Sequence, residues 1–227
     1  MGEQYLGGKM SIRHGLVDRK QAILDAVSGQ NVLHLGCADA PLQVMRAATG
    51  TLLHSHIRRV ARNVVGIDLD PEGVRYLREE LGFGEVVRGD VTRLDDLGFT
   101  ETFDAIVAGE LLEHLPNPGL CLASCRSVLR KEGQLIVSVP NAFSAKAFAR
   151  ACLGREIVHP DHVAYYSALT LTRLLEQHEF RIERMHYYAS IPDGTFKRAI
   201  EGVLMAPLRS LAPQVSEGLV VFAAPHR

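Results

Sequence analysis

A doubly wound α/β fold is what this sequence predicts, as a single domain around a mostly parallel, seven-stranded sheet with helices on both faces and a small helical lid. Short apolar runs alternate along the chain with segments of helical period, which is typical of a parallel sheet with helical crossovers. The runs at 64–67 and 103–108 are almost continuously apolar, as strands covered on both faces require. A chain of 227 residues is long enough for one such core.

The predicted elements follow one another in a regular order. The strands are expected at 31–35, 64–68, 85–88, 103–108, 134–139, 181–187 and 218–223. The helices are expected at 17–27, 41–48, 71–80, 117–129 and 169–178. Pro71 suits the first turn of its helix, because an N–H at that position has no helical partner. We expect residues 1–30 to form an N-terminal helical lid and the less regular segment 143–166 to be an insertion on the acceptor side of the sheet.

Composition and charge narrow the class of protein. The 25 basic and 26 acidic residues leave a formal net charge of -1, which offers no general attraction to duplex nucleic acid. The four cysteines form no CxxC pair, and no apolar run approaches the length of a membrane span. We therefore expect a cytoplasmic protein with a small-molecule substrate, and no membrane or duplex nucleic acid as a partner. An apolar stripe at 199–211 is either core or the face of a homodimer.

The first strand ends in the run HLGCADA at 34–40. Gly36 directly after a buried strand permits a tight turn and brings a ligand close to the backbone of Cys37 and Ala38. A phosphate-binding G-x-G-x-x-G motif requires a second glycine where Ala38 stands, which argues against a dinucleotide.

Two further strand ends carry carboxylates. Asp68, followed by Leu69, ends the second strand, where a carboxylate can accept hydrogen bonds from both hydroxyls of a ribose. The alternative is that Asp68 caps the next helix, although Asp70 is better placed to do so. Asp90 and Val91 follow the third strand, where a side chain and a backbone N–H can bind an adenine edge. Three strand ends therefore converge on one nucleoside.

Taken together, these motifs resemble the class I S-adenosylmethionine (SAM)-dependent methyltransferases over residues 32–185. The runs that carry the resemblance are VLHLGCADA, VVGIDLD, VVRGDV, TFDAIVAGELLEHL and LRKEGQLIVSVPN. The resemblance implies SAM as cofactor, bound by Gly36, Cys37, Ala38, Asp68, Leu69, Asp90, Val91 and Gly109. The chain departs from the pattern at His34, where an acidic residue is usual, and at Ala38 and Ala40, which replace glycines.

The run ELLEHL at 110–115 resembles both the ubiquinone-biosynthesis O-methyltransferases and the small-RNA 2′-O-methyltransferases. In the RNA enzymes a Glu-x-x-Glu-His run belongs to a divalent-cation site, which a later HPDH run at 159–162 could complete here. The alternative is that Glu113 and His114 only position loops, as in small-molecule methyltransferases without a metal. The sequence alone does not decide whether a divalent ion is bound.

The expected activity is methyl transfer from SAM to an oxygen, or less readily a nitrogen, of a small molecule such as a sugar or a secondary metabolite. A hydroxyl acceptor must lose its proton, and a histidine suits that role near neutral pH. His114 and His162 are the candidates, because both are expected at the carboxyl-end rim of the sheet. The alternatives are a catalytically silent SAM-binding or partner-binding protein and a nicotinamide-dependent oxidoreductase.

Overall fold

The computed structural model describes residues 15–189, 207, 209 and 211–226. Within them one sheet is built from the strands β1 (Leu16–Val17), β2 (Asn31–Leu35), β3 (Asn63–Asp68), β4 (Val86–Arg88), β5 (Phe103–Gly109), β6 (Leu129–Pro140), β7 (Phe180–Tyr188) and β8 (Gly218–Pro225). The helices are α1 (Arg19–Val27), α2 (Gln43–Ala48), α3 (Leu53–Val60), α4 (Pro71–Arg75), α5 (Pro118–Val128), α6 (Ala145–Cys152) and α7 (Ala168–Gln177). The stripe predicted at 199–211 lies almost entirely outside the described residues.

The strands lie in the order β1-β7-β8-β6-β5-β2-β3-β4. β8 runs antiparallel to its neighbours β6 and β7, and every other pair is parallel. Successive crossovers lead from β2 to one edge of the sheet and then back to the other side of β2. The doubly wound, mostly parallel prediction is therefore confirmed, with its switch point between β2 and β5.

The predicted count of seven strands was wrong, because a two-residue strand precedes the first predicted one. Leu16 and Val17 pair with Tyr187 and Tyr188 of β7, and Val17 is the residue at which a helix was expected to start. The helix begins later, at Arg19, because the Asp18 side chain accepts a hydrogen bond from the Gln21 N–H at 2.8 Å and caps it.

Two helices also differ from the prediction. The helix expected at 71–80 is α-helical only to Arg75 and continues as a π-helix over Tyr76–Glu80. A separate helix, α3, covers Leu53–Val60, beyond the end of the helix predicted at 41–48. None of the described helices is long and apolar enough to cross a membrane.

Helices cover both faces of the sheet, as predicted. On one face Leu122 of α5 and Leu171 of α7 pack against the buried strand residues, and on the other Ile23 of α1 and Ile57 of α3 do so. Each such side chain stabilises the fold by roughly 1.5–3 kcal/mol when fully buried. All five residues of β2 are buried, which fixes the loop that follows this strand against a rigid core.

Candidate active site

A cavity of about 820 Å³ opens at the carboxyl ends of β2, β3 and β5. This position is the switch point, where doubly wound sheets bind ligands. Six of the predicted site residues line the cavity: Gly36, Cys37, Asp68, Leu69, Gly109 and His114. Four others, Ala38, Asp90, Val91 and His162, are not among the described residues that line it.

The loop after β2 is a tight turn. Gly36 has φ 67°, a left-handed conformation that glycine adopts without strain, and Asp39 has φ 58°, which is unfavourable for a residue with a Cβ. The N–H groups of Gly36 and Cys37 both donate to the Ile67 carbonyl, at 2.8 and 3.2 Å. The turn therefore holds the loop backbone against β3 and leaves its other side to the cavity.

Asp68 anchors this loop as well as lining the cavity. Its two carboxylate oxygens accept hydrogen bonds from the N–H groups of Ala38, at 2.8 Å, and Asp70, at 3.0 Å. Burial raises the pKa of Asp68, and these two hydrogen bonds oppose that shift. Each oxygen can still accept another hydrogen bond. The capping role belongs to Asp70, whose carboxylate accepts from the Gly73 N–H at 2.5 Å.

The predicted adenine-binding residues lie at the same edge of the sheet but outside the cavity lining. The exposed Asp90 carboxylate accepts hydrogen bonds from the N–H and the hydroxyl of Thr92, which lower the pKa of Asp90. Val91 is buried in the core. The buried Ala38 serves the loop through its N–H bond to Asp68. Adenine binding by Asp90 and Val91 stays a prediction.

Arg19 also lines the cavity, although the sequence reasoning did not find it. Its Nε donates to the Ser138 hydroxyl at 2.8 Å, and its Nη2 lies 2.7 Å from where a Cβ on Gly109 would stand. The glycine therefore makes room for a guanidinium at the end of β5. The next residue, Glu110, has φ 53°, and its carboxylate accepts the Tyr188 hydroxyl hydrogen bond at 2.5 Å.

Two histidines, His34 and His54, form what we call the buried histidine pair. Their Nδ1 atoms are 3.1 Å apart and their rings are stacked with centroids 5.3 Å apart. His54 Nε2 lies 3.8 Å from the Glu85 carboxylate. Gly66 permits this packing, because a Cβ there would lie 2.8 Å from His54 Cε1. Burial lowers the pKa of His34, and lowers that of His54 to about 4, so both rings are neutral at pH 7.

Three other histidines form the rim histidine cluster, made of His114, His159 and His162. His114 ends a 3₁₀ turn after β5, and the other two lie on the loop that follows α6. The His114 centroid lies 5.3 Å from that of His159 and 4.5 Å from that of His162. One nitrogen from each ring can be chosen so that all three lie within 4.8 Å of one another. Burial lowers the pKa values of His114 and His162, which keeps their lone pairs free at pH 7.

Glu113 lies beside the rim histidine cluster and is only 1% exposed. Neither of its carboxylate oxygens has a hydrogen-bond partner among the described residues. Within the cluster, His162 Nε2 lies 4.0 Å from Glu113 Oε1. Burial, and secondarily the charge of Glu110, raise the pKa of Glu113. The Val163 N–H donates to the Glu113 carbonyl at 2.8 Å, which ties the loop to the turn.

The segment 143–166 lies largely on the surface. Its apolar side chains at Phe148, Leu153 and Ile157 are 71, 76 and 63% exposed, so they do not pack into the core. A second depression of about 690 Å³ lies along this segment. The segment is fastened at its end, where Tyr166 pairs with Asn141. The loop thus brings its histidines to the cavity rim while its apolar residues face outward.

Comparisons with known proteins agree with the geometry. Residues 11–184 match the family model of a methyltransferase domain. The ubiquinone biosynthesis O-methyltransferase of Xanthomonas axonopodis pv. citri is 34% identical over 134 residues, which are 58% of this chain and 51% of that protein. The enzyme of the same name from Xanthomonas oryzae pv. oryzae (strain PXO99A) is 34% identical over 146 residues, 63% and 55% of the two chains. The chain spans about half the length of these curated relatives.

Solved structures share the fold. A SAM-dependent methyltransferase from Archaeoglobus fulgidus superposes with a TM-score of 0.59 at 18% identity, over 91% of both chains. An N-methyltransferase from Bradyrhizobium japonicum WM9, solved with S-adenosyl-L-homocysteine, gives a TM-score of 0.54 at 16% identity, over 92% of this chain and 86% of that one. The predicted resemblance to SAM-dependent methyltransferases is confirmed.

Proposed function

Since this chain belongs to the methyltransferase domain family, we propose that it transfers the methyl group of SAM to an oxygen of a small-molecule acceptor. The observation that supports this proposal is one cavity that is lined both by the predicted cofactor residues Gly36 and Asp68 and by His114. One space thus joins the nucleoside end of the cofactor to a side chain that can act on the acceptor's proton.

SAM binds with its ribose hydroxyls on Asp68, and the rest of the cofactor lies along the backbone of Gly36 and Gly109. Asp68 suits this role because its carboxylate is held rigidly by two backbone N–H groups and keeps further acceptor capacity. The sulfonium supplies most of the electrophilic drive, so the protein has mainly to align the two reactants and exclude water. In the reaction an O–C bond forms as the S–C bond breaks, and S-adenosylhomocysteine (SAH) remains.

The acceptor's proton is lost at the rim histidine cluster. His114 lines the cavity directly, and His162 lies edge-on to it with ring centroids 4.5 Å apart. The segment 143–166 covers the acceptor on the open side of this cavity, and the first 14 residues of the predicted N-terminal lid lie outside the described residues. Phe143 and Tyr165 offer aromatic surface there, since both are exposed. A sugar or a secondary metabolite is the acceptor class we propose.

Oxygen rather than nitrogen is the proposed target because both curated relatives described above are O-methyltransferases by name. A neutral amine also needs no proton removed before it attacks, whereas a hydroxyl does. Neutral histidines at the rim therefore favour a hydroxyl acceptor.

Calorimetric titration of the full chain with SAH and with NAD tests the cofactor assignment. We expect SAH to bind and NAD not to, and Asp68→Asn to weaken SAH by about 1.5–3 kcal/mol, the scale of a hydrogen bond to a charged group. Asp95→Asn, which removes an exposed carboxylate outside the cavity, is the matched control. NAD binding would favour an oxidoreductase. SAH binding without turnover of any hydroxylated acceptor tried would favour the catalytically silent alternative.

A further inference from the structure

The buried histidine pair reaches the cavity through one of its two rings. His34 lies on β2 between Gly66 of β3 and Val107 of β5, and it is one of the residues that line the cavity. Its Nδ1 is engaged by His54 Nδ1 at 3.1 Å, so Nε2 is the ring nitrogen that remains for a ligand. Whether this nitrogen donates or accepts a hydrogen bond depends on the tautomers of the pair.

The hydrogen bond between the two rings allows only two arrangements. Burial lowers the pKa values of His34 and His54, so both imidazoles are neutral at pH 7 and each carries one N–H. If His34 Nδ1 donates, the proton of His54 is on Nε2, and His34 Nε2 is a lone pair. If His54 Nδ1 donates, the roles are reversed, and His34 Nε2 carries a proton instead.

Glu85 decides between these arrangements. His54 Nε2 has no hydrogen-bond partner among the described residues, and the Glu85 carboxylate lies 3.8 Å from it. Arg58 holds that carboxylate in place, with its Nε 2.5 Å from Oε1. After burial, which lowers the pKa of His54, the larger influence is Glu85, which raises this pKa by more than Arg58 lowers it. The negative charge attracts an N–H and repels a lone pair, so His54 carries its proton on Nε2 and His34 Nε2 is left as an acceptor.

The acceptor suits the amino-acid end of SAM. With the ribose on Asp68 at the end of β3, the methionyl chain extends past the end of β2 toward Gly109 of β5. Arg19 lines this part of the cavity, and its positive charge suits the methionyl carboxylate. The other charged group of the methionyl chain is an ammonium, which only donates hydrogen bonds. An unprotonated ring nitrogen can bind it, whereas a ring N–H would repel it.

We propose that Glu85, acting through His54, holds His34 in the tautomer whose Nε2 accepts a hydrogen bond from the α-ammonium group of SAM. The inference rests on the proposed function and names residues that select the amino group of the cofactor. Glu85 and His54 are positioning residues, since neither is among the described residues that line the cavity. An acidic residue is usual at the position of His34 in the methyltransferases that the sequence resembles, so control by a tautomer is a property of this chain's own residues.

Nitrogen NMR of the ¹⁵N-labelled full chain reads the tautomer before any ligand is added. The long-range ¹H–¹⁵N correlations of the His34 ring, assigned by their absence from His34→Phe, distinguish a protonated Nε2 from an unprotonated one. We expect an unprotonated Nε2 in the unchanged chain. Glu85→Met, which removes the carboxylate and keeps a side chain of similar length, should give a mixture of both tautomers. A protonated His34 Nε2 in the unchanged chain would overturn the proposal.

Calorimetry with SAH, and with an analogue that has hydrogen in place of the amino group, measures the contact with the ammonium. The unchanged chain should prefer SAH by about 10- to 100-fold, the scale of a hydrogen bond to a charged group. His34→Phe should lose about tenfold of this preference. Glu85→Met should lose about twofold, because only molecules with the acceptor tautomer bind the ammonium well. His56→Phe is the matched control on α3 and should keep the full preference, since His56 is not among the described residues that line the cavity.

An equal preference for SAH in His34→Phe and His56→Phe would also overturn the proposal, since other groups would then hold the ammonium. Circular dichroism melts report whether each variant is folded, and binding of the analogue reports whether its nucleoside site is intact. If His34→Phe does not fold, Glu85→Met decides, because its tautomer mixture and its preference must change together. Failure of the unchanged chain to bind either ligand would instead refute the cofactor assignment itself.

Discussion

The buried histidine pair and the rim histidine cluster place the same side chain in two opposite situations. His34 and His54 are both almost fully buried, and each ring's Nδ1 finds the other at 3.1 Å. The cluster residues sit on a loop and a turn, and their rings meet edge-on or tilted. The pair is joined by a hydrogen bond between its own two rings, although His54 Nε2 has no hydrogen-bond partner among the described residues, and the cluster lies at the rim of the cavity.

The difference shows that burial alone does not distinguish a structural histidine from a functional one. Burial lowers the pKa values of His34 and His54 in the pair and of His114 and His162 in the cluster. What separates them is how the rings meet: the two Nδ1 atoms of the pair face each other at 3.1 Å, whereas the rings of the cluster meet edge-on or tilted. Substitutions in the pair should therefore act on stability, and those in the cluster should act on turnover.

The largest expected effect is on catalysis at the rim. His162→Ala should lower kcat by about 10²–10⁴, the usual contribution of a group that manages proton transfer. We expect the affinity for SAH to stay the same, because His162 is not among the described residues that line the cavity. Initial rates with an acceptor found by screening hydroxylated metabolites give the first quantity and calorimetry gives the second. A loss of folding with turnover per folded molecule preserved would make His162 structural.

A substitution in the buried histidine pair should instead lower the stability of the fold. His54→Ala should lower the free energy of unfolding by about 2–4 kcal/mol, because it leaves a cavity and removes the partner of His34 Nδ1. Chemical denaturation of the unchanged chain and the variant measures this difference. A change below 1 kcal/mol would mean that the pair is not a structural unit.

Acid should destabilise the protein through the same pair. Because the folded pKa of His54 is lowered from 6.5 to about 4, the unfolded chain binds more protons between these values. Stability is therefore fully present above pH 6.5 and falls as the pH drops toward 4, by about 3 kcal/mol for this group. Unfolding of the unchanged chain and of His54→Gln across this range measures the slope, which should be shallower in the variant. Equal slopes would assign the acid sensitivity to other groups.

The smallest effect is expected two residues away on the same helix. His56 is only half-buried, and its ring hydrogen bonds the Gly50 carbonyl at 2.8 Å. His56→Ala should change the free energy of unfolding by less than about 1 kcal/mol. Measured beside His54→Ala, it separates the effect of burial from the effect of losing a histidine on α3. Equal losses in the two variants would contradict the comparison.

The sequence predicted the strands with strong local signals and missed what depends on distant partners. The five residues of β2 were predicted at their observed bounds, because a short, mostly apolar run followed directly by a glycine marks a buried strand. β1 was missed because two residues carry no period, and only their pairing with Tyr187 and Tyr188 makes them a strand. The π-helical turn after α4 was missed for a similar reason, since no residue type specifies it.

At the site, strand-end residues could be predicted because parallel strands bring their carboxyl ends to one edge. Gly36, Asp68 and Gly109 line the cavity on that basis. Arg19 could not be predicted, since its place depends on the missing Cβ of a glycine 90 positions later in the chain. The pairing of His34 with His54 likewise needs the crossover between β2 and α3 to be known. Asp39 and Glu110 gave no signal, because unfavourable backbone angles are not visible in a sequence.

The antiparallel β8 has a consequence for how the molecule assembles. It lies between β6 and β7 and pairs with both, although it is the last strand described. Until residues 218–225 have been synthesised, β6 and β7 have no partner on their facing sides, and unpaired strand edges invite association with other chains. The pairings also join residues far apart in sequence at one side of β8, such as Leu135 with Ala223, which slows folding. Nascent chains that stop before this strand should therefore be clients for chaperones.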